Sequence, residues 1–546
     1  MASVNGSQIL ARSLRRLQTD TFFYIMGGPM MAAESACLEE GLRAIDVRHE
    51  QAAAMMAHAY GRVKNTLGVC MAASGPAATN LITGVANAWA DCAPLLAIGG
   101  SAPISQRGKS AFQEMDQVAA FKPITKWAEQ CADPRRVPEF VATAVRQALS
   151  GRPGPVYLDM PGDVLYKQVE ESEVTYTDAS PAAFRARPAG DPALIEDAVR
   201  CLAQAERPLV LTGSGILWSD AEAELKQFVE LCGVPFYTTP QGRGVVPDDH
   251  ALSFPTARAT AFREADVLLL IGTRINYIIG HLAAPRFSAS AKLIQVDIDG
   301  AEIGHNRAAD VGIVGDARAV LRQLVAAADG RVDARRYSGW REHLANVEST
   351  KRQGAEAAMS TDQQPIHPLR LCKEVRDFLD RDAILVVDGQ EILNYGRQSI
   401  PTFTPRHRLN SGVFGTMGVG LPFGIGAKVA KPDKQVLVLH GDGSFGLNGM
   451  ELDTAARHKI PVVTVVSLNG GWTADPKREK AGRDLGYTAF HKMAEALGCH
   501  GEYVEAPEKI RPALERAFAS GSPALVNVLT DWRARATTAA FSVYST

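Results

Sequence analysis

The 546-residue chain has eight cysteines and no Cys-x-x-Cys among them; they are scattered at Cys37, Cys70, Cys92, Cys131, Cys201, Cys232, Cys372 and Cys499. Such spacing offers neither a disulfide framework nor a thiolate metal site, and reads as free thiols in a reducing, cytoplasmic compartment. No apolar run reaches the roughly 18 residues of a membrane span. There is no basic block either: 58 Lys and Arg face 60 Asp and Glu, a net charge of −2, which excludes nucleic acid and anionic membranes as expected partners. No short-period repeat of the solenoid kind is present. The opening "GSQILARSLRRLQ" is amphipathic and basic, as a transit peptide would be. It runs straight into "TFFYIMGG", a strand with a glycine turn, and so reads as the first helix of a domain; no signal peptide is expected.

What the chain does have is βα alternation in three blocks. Apolar strands stop at glycine and helices follow. The first block runs from "TFFYIMGG" to "GPVYLDMPGDVL". The second holds "RPLVLTGSGI", "ADVLLLIGTR" and "KLIQVDIDGAEIG". The third holds "AILVVDGQ", "QVLVLHGDGS", "PVVTVVSLNGG" and "SPALVNVLT". The expected architecture is α/β, with three doubly wound parallel-sheet domains at 1–171, 193–330 and 366–530. Linkers are expected at 172–192 and 331–365, and a tail at 531–546. The "TGSG" at Thr212 reads as a lone glycine turn of little weight.

Ligands of open α/β sheets bind beyond the carboxyl ends of strands. Two such ends in the third block carry "GDGS" and "LNGG". Asp442 and Asn469, 27 positions apart, supply hard oxygen ligands suited to Mg²⁺, which takes phosphate oxygens and water as its other ligands. Gly443 and Ser444 can bring backbone N–H groups close to those phosphates, ahead of a helix over "NGMELDTAARH". Together the two ends describe a site for a metal-bound diphosphate.

This Asp-to-Asn spacing resembles the fingerprint of thiamin diphosphate (ThDP) enzymes, and the resemblance extends over nearly the whole chain. "VRHEQAAAMMAHAYGR" is similar to the activating-glutamate segment of acetolactate synthases, oxalyl-CoA decarboxylases and 2-hydroxyacyl-CoA lyases. "SGRPGPVYLDMPGDV", "FGTMGVGLPFGIGAKVA" and "GDGSFGLNGMELDTA" fit the same superfamily. The resemblance implies a pyrimidine-binding domain, a central domain and a diphosphate-binding domain. Leu468-Asn469 stands where the family usually has Asn-Asn, and Asn469 falls on the ligand position. The Gly471 carbonyl is then implied as the third protein ligand of the metal. Glu50 is implied as the carboxylic acid that hydrogen-bonds the cofactor's pyrimidine and favours its imino tautomer. Met417 is implied as the bulky residue beneath the bent cofactor, with Gly415 and Gln390 as further cofactor contacts. The family further implies a pyrimidine domain facing the diphosphate domain of another chain, hence a homodimer at least and a homotetramer as the expected assembly.

For the substrate, "PRHRLNSGVFGTMGVG" and "RGVVPDDH…ADVLLLIGTRINY" resemble CoA-thioester enzymes of the 2-hydroxyacyl-CoA lyase type. The "GxRFDDR" pattern of flavin-holding acetolactate synthases is absent, so FAD is not expected. ADP or the CoA nucleotide is the expected occupant of the central domain. Gln113, Arg274 and Arg408 are candidate substrate contacts, the arginines because guanidinium suits phosphate. Asp475, six residues after Asn469, is a candidate general base and acid: it could take the C2 hydroxyl proton of a 2-hydroxyacyl-CoA and return it as formyl-CoA leaves. It could equally cap a helix starting at Pro476. The tail "TDWRARATTAAFSVYST" is expected to act as a lid over an anionic CoA thioester. The expected function is a 2-hydroxyacyl-CoA lyase, with an acetolactate synthase-like carboligase, an oxalyl-CoA decarboxylase or a silent subunit of the same fold as alternatives.

Overall fold

Val267–Ile271 is apolar at every position, and Val463–Leu468 carries only Thr464 and Ser467 among apolar residues; both are buried throughout, unlike strands of a sheet with one wet face. They belong to parallel sheets covered by helices on both sides. The computed structural model describes residues 3–472 and 477–536. The first sheet comprises β2 (Thr21–Tyr24), β3 (Arg43–Asp46), β4 (Gly68–Ala72), β5 (Leu95–Ser101), β6 (Ala128–Gln130) and β7 (Pro155–Pro161), in the order β3-β2-β4-β5-β7-β6. A short antiparallel pair, β1 (Ser3–Asn5) with β8 (Gln168–Glu170), ties the start of this domain to its end. The central sheet comprises β9 (Pro208–Thr212), β10 (Phe236–Thr238), β11 (Val267–Ile271), β12 (Lys292–Asp297) and β13 (Val311–Val314), in the order β10-β9-β11-β12-β13. The third sheet comprises β14 (Ile384–Asp388), β15 (Arg408–Leu409), β16 (Val436–Gly441), β17 (Val463–Leu468), β18 (His500–Val504) and β19 (Ala524–Leu529), in the order β15-β14-β16-β17-β19-β18. Within each of these three sheets every pairing is parallel.

The first and third domains meet along two helices. Glu50–Lys64 follows β3, and Gly420–Ala430 follows β15. The approach is close because small residues line it. A Cβ at Gly426 would stand 2.3 Å from the Met56 carbonyl oxygen; on the other side of the Glu50 helix, within the first domain, one at Gly84 of the helix Pro76–Ala90 would stand 2.6 Å from Ala54 Cβ. The Glu50 helix is therefore buried almost all round, which its alanine-rich sequence tolerates. His49 caps its start by accepting from Gln51 N–H, and Asn65 ends it in the left-handed region at φ 56°.

Two expectations need correction. The stretch 331–365 is not an extended linker: it carries the 22-residue helix Ser338–Met359. Trp340 and Leu344, one turn apart, are buried in the central domain's core, and Trp340 Nε1 donates to Pro208 O at 3.2 Å. The polar residues that suggested a linker form the wet face of an amphipathic helix. The helix expected over "NGMELDTAARH" forms as Glu451–Arg457, but Gly443 and Ser444 are themselves helical: they belong to a further short helix, Asp442–Asn448, that precedes it and begins at Asp442 itself.

Candidate active site

Three strand ends of the third sheet meet at one place. The β16 end supplies Asp442, buried at 5 % exposure. Its Oδ1 accepts Gly443 N–H at 2.8 Å; its Oδ2 accepts the N–H groups of Gly470 and Gly471, at 2.7 and 3.1 Å, from the end of β17. Burial pushes the carboxyl up to about 6, against the pull of these backbone donors. Asn469 Oδ1 accepts Gly471 N–H at 3.2 Å. Gly471 has φ 150°, and a Cβ there would stand 2.2 Å from both Arg483 Nη1 and Arg483 O, so no side chain fits. Gly443 lies under the Trp472 ring, 2.6 Å from where its Cβ would be. Ser444 Oγ donates to Gly441 O at 3.0 Å. The β14 end brings Gly389 beside Gly441, and Gln390 then starts the helix Glu391–Ser399. A buried carboxylate, an amide oxygen and a main-chain carbonyl form a hard-oxygen donor set that fits Mg²⁺. Among the described residues no cluster of three His, Cys, Asp or Glu offers an alternative metal site.

His440, one residue before Gly441, was missed in the sequence. Its ring is fully buried, Nδ1 lies 3.1 Å from Ser444 Oγ, and burial pushes its pKa down to about 3. It fills the space a Cβ at Gly420 would need, 2.3 Å away, and so fixes how the Gly420 helix leaves the site. Only its place in "LHGDG" could have signalled it.

Glu50 is the first residue of its helix, where the helix dipole favours a carboxylate. It is 9 % exposed, and its Oε2 accepts Asn80 Nδ2 at 2.9 Å. No motif in the sequence points to Asn80. Next to Glu50, Gln51 Nε2 donates to Asn448 Oδ1 (2.9 Å), and Asn448 Nδ2 donates to Gly418 O (2.8 Å). Glu451 accepts the N–H groups of Arg48 and His49 at 3.1 Å. These bonds tie the start of the Glu50 helix to the far end of the Asp442 helix and to the Met417 loop of the same chain. Met417 is 39 % exposed, between Gly415 (φ 71°) and Gly418 (φ 86°). Gln113 lies over the turn after β4, with Oε1 accepting Ser74 Oγ at 2.7 Å.

A cavity partly open to solvent lies beyond the carboxyl ends of β9, β11 and β12. Arg152, Arg185, Arg187, Arg274 and Arg397 line it, with Asp91, Asp297 and Asp316. Its floor is glycine on glycine: Gly215 N–H donates to Gly272 O at 2.9 Å, and a Cβ on Gly215 would stand 2.5 Å from Gly272 Cα. The "TGSG" turn, given little weight in the sequence, thus shapes the cavity. Arg274 belongs to it, its guanidinium also bonded to the Ala90 carbonyl. Arg408 does not. It is 2 % exposed beneath the Gln390 helix, donating to Gly396 O (2.8 Å) and Ile400 O (3.3 Å), and its assignment to CoA phosphates is withdrawn. Asp475 lies outside the described residues.

Comparison with known proteins identifies the three domains. The family model for the thiamine pyrophosphate enzyme N-terminal TPP binding domain matches residues 4–120, the central domain 195–324 and the C-terminal TPP binding domain 393–528. The chain belongs to the thiamine pyrophosphate enzymes. Its relatives divide between two activities. Acetolactate synthase large subunit IlvG of Mycobacterium tuberculosis is 36 % identical over 97 % of this chain and 96 % of its own length. The 2-hydroxyacyl-CoA lyase of Arabidopsis thaliana is 35 % identical over 97 % and 96 %, and human 2-hydroxyacyl-CoA lyase 1 is 32 % identical over 97 % and 95 %. The site at the ends of β14, β16 and β17 lies in or beside the C-terminal TPP-binding match, and Glu50 lies in the N-terminal one. No helix among the described residues is long and apolar enough to cross a membrane.

Proposed function

We propose that the protein is a 2-hydroxyacyl-CoA lyase, cleaving a 2-hydroxyacyl-CoA to formyl-CoA and an aldehyde or ketone, and able to run the reverse addition. The observation that carries this reading is the arginine-lined cavity of the central domain. Of its five guanidinium groups, Arg152, Arg185 and Arg187 pair with carboxylates, while Arg274 and Arg397 form no ion pair among the described residues and suit the phosphates of a CoA-type nucleotide. Likeness to the plant and human lyases supports it. Likeness to the mycobacterial synthase supports a second reading, a carboligase that makes acetolactate, almost equally.

In either reading Asp442, Asn469 and the Gly471 carbonyl would hold Mg²⁺, and Gly443 and Ser444 would approach the diphosphate. ThDP, when bound, supplies a carbon nucleophile and an electron sink for C–C cleavage. Glu50, 9 % exposed and steadied by Asn80, would hydrogen-bond the cofactor's pyrimidine ring. For the lyase, Asp475 is the candidate to take the C2 hydroxyl proton as the C1–C2 bond breaks and to return one to the formyl carbon. Two copies of the chain, joined so that Glu50 of one serves the diphosphate site of the other, complete the proposed assembly.

The test is direct. The purified enzyme with Mg²⁺ and ThDP is given a 2-hydroxyacyl-CoA, and formyl-CoA is sought by mass spectrometry. Pyruvate is supplied in parallel. Formyl-CoA release supports the lyase; acetolactate from pyruvate by a yellow, flavin-containing enzyme overturns it.

A further inference from the structure

Arginines crowd the back of the Asn469–Gly471 loop in a way that the metal site does not use. Arg483 is 3 % exposed. Its Nη1 reaches Gly470 O and Asp484 Oδ1, both at 3.3 Å, while Nε and Nη2 are buried without a partner. Arg535 repeats the pattern from the other side: Nη1 donates to the carbonyls of Trp532 and Ala534 at 2.6 and 2.8 Å, and Nε and Nη2 are again buried and unpartnered. Arg478 lies over the Trp532 ring at 4.1 Å and approaches Asn469 O at 3.5 Å. Burial, and then the repulsion of Arg478 and Arg535, lower the Arg483 pKa.

Among the described residues the nearby carboxylates are exposed or already engaged; Asp442, which also acts on Arg483, accepts three backbone N–H groups. Asp484 is 62 % exposed. Glu391 Oε2 is taken by Ala536 N–H at 2.7 Å, and Asp531 is paired with Arg533 at 2.9 Å. In both Arg483 and Arg535 the open atoms are Nε and Nη2, the edge of the guanidinium that grips two oxygens at once. Two such edges offer four donors. A carboxylate has two oxygens and one charge. A phosphate has more of both and matches the set better.

We propose that Arg483 and Arg535, with Arg478 as a flanking charge, form a phosphate-binding cluster behind the metal loop. The phosphate comes either from the cofactor's diphosphate or from CoA, and the second source rests on the lyase reading above. Binding there also holds the loop: Arg483 grips Gly470 O, next to the carbonyl assigned to the metal.

The test is calorimetry on the full chain. Binding of ThDP with Mg²⁺, and of CoA to the ThDP-loaded enzyme, is measured for wild type, Arg483→Gln, Arg535→Gln and Arg483→Lys. We expect one of the two affinities to fall at least tenfold in both glutamine variants, and Arg483→Lys, which keeps the charge but loses the fork, to recover only part of it. A fall for ThDP names the diphosphate; a fall for CoA names the CoA phosphates. If both affinities stay within twofold of wild type in Arg535→Gln, and in Arg483→Gln with an unchanged melting curve, the proposal is overturned. Should Arg483→Gln fail to fold, Arg535→Gln decides alone. If wild type binds no CoA while ThDP affinity falls tenfold, the cluster stands and the lyase reading is what fails.

Discussion

The first and third domains are built on one plan and do different work. Counted within its own domain, each sheet has the strand order 2-1-3-4-6-5. In each, a helix follows the second strand, and those two helices pack on each other. The first domain begins its helix with a carboxylate, Glu50; the third begins its helix with Gly420. The reverse holds after the third strand. There the first domain has Ala73-Ser74-Gly75, with no ionisable side chain, and the third has Asp442. One plan thus yields two half-sites, each built on an acid: Glu50 on one, and Asp442, the proposed cation-holding acid, on the other. The topology fixes where a functional group can stand; the residue at the strand end decides what it does.

Removing the cation-holding acid should break the comparison most completely. Asp442→Ala should abolish Mg²⁺-dependent retention of ThDP on gel filtration; retained cofactor would mean the metal lies elsewhere. Glu50→Gln should cut turnover by roughly 10²–10⁴, the usual worth of a positioned acid, while ThDP affinity by calorimetry stays near wild type. A matching loss of affinity would erase the division of labour between the half-sites.

Much of this was legible because buried parallel strands write themselves as apolar runs and because Asp442 and Asn469 each end one. The failures have physical causes as well. Arg408 looks like a surface cation in "PRHRL", yet its guanidinium donates to two carbonyls at the end of the preceding helix, Gly396 and its cap Ile400. Asn80 matters only through its contact with Glu50, 30 residues away. Trp340 and Leu344 sit in a polar stretch whose mean composition hides a one-sided apolar face.

The seam between the half-sites is a smaller target. Gly426→Val places a side chain against the Met56 carbonyl and should cost about 1–3 kcal/mol, as overpacking does. Thermal melting would register it, and an unchanged midpoint would mean the seam yields. The smallest effect concerns Asp91, buried where all three domains meet. Gln241 Nε2 donates to it at 2.7 Å, while burial pushes its pKa up to about 6. A raised carboxyl pKa means that stability is full below the unfolded value near 3.9 and declines as pH rises towards 6. Asp91→Asn should therefore gain on wild type by at most ~3 kcal/mol between pH 4 and pH 7. Melting curves across that range check it, and a constant difference would contradict the assignment.

The bonds from Arg48 and His49 to Glu451 join residues about 400 positions apart. At the usual ~5–20 residues per second, a ribosome needs roughly 20–80 s to travel that distance. Throughout that interval the alanine- and methionine-rich side of the Glu50 helix has no Gly420 helix to cover it. The first half-site must wait, folded but unsheltered, for the last third of its own chain to be made.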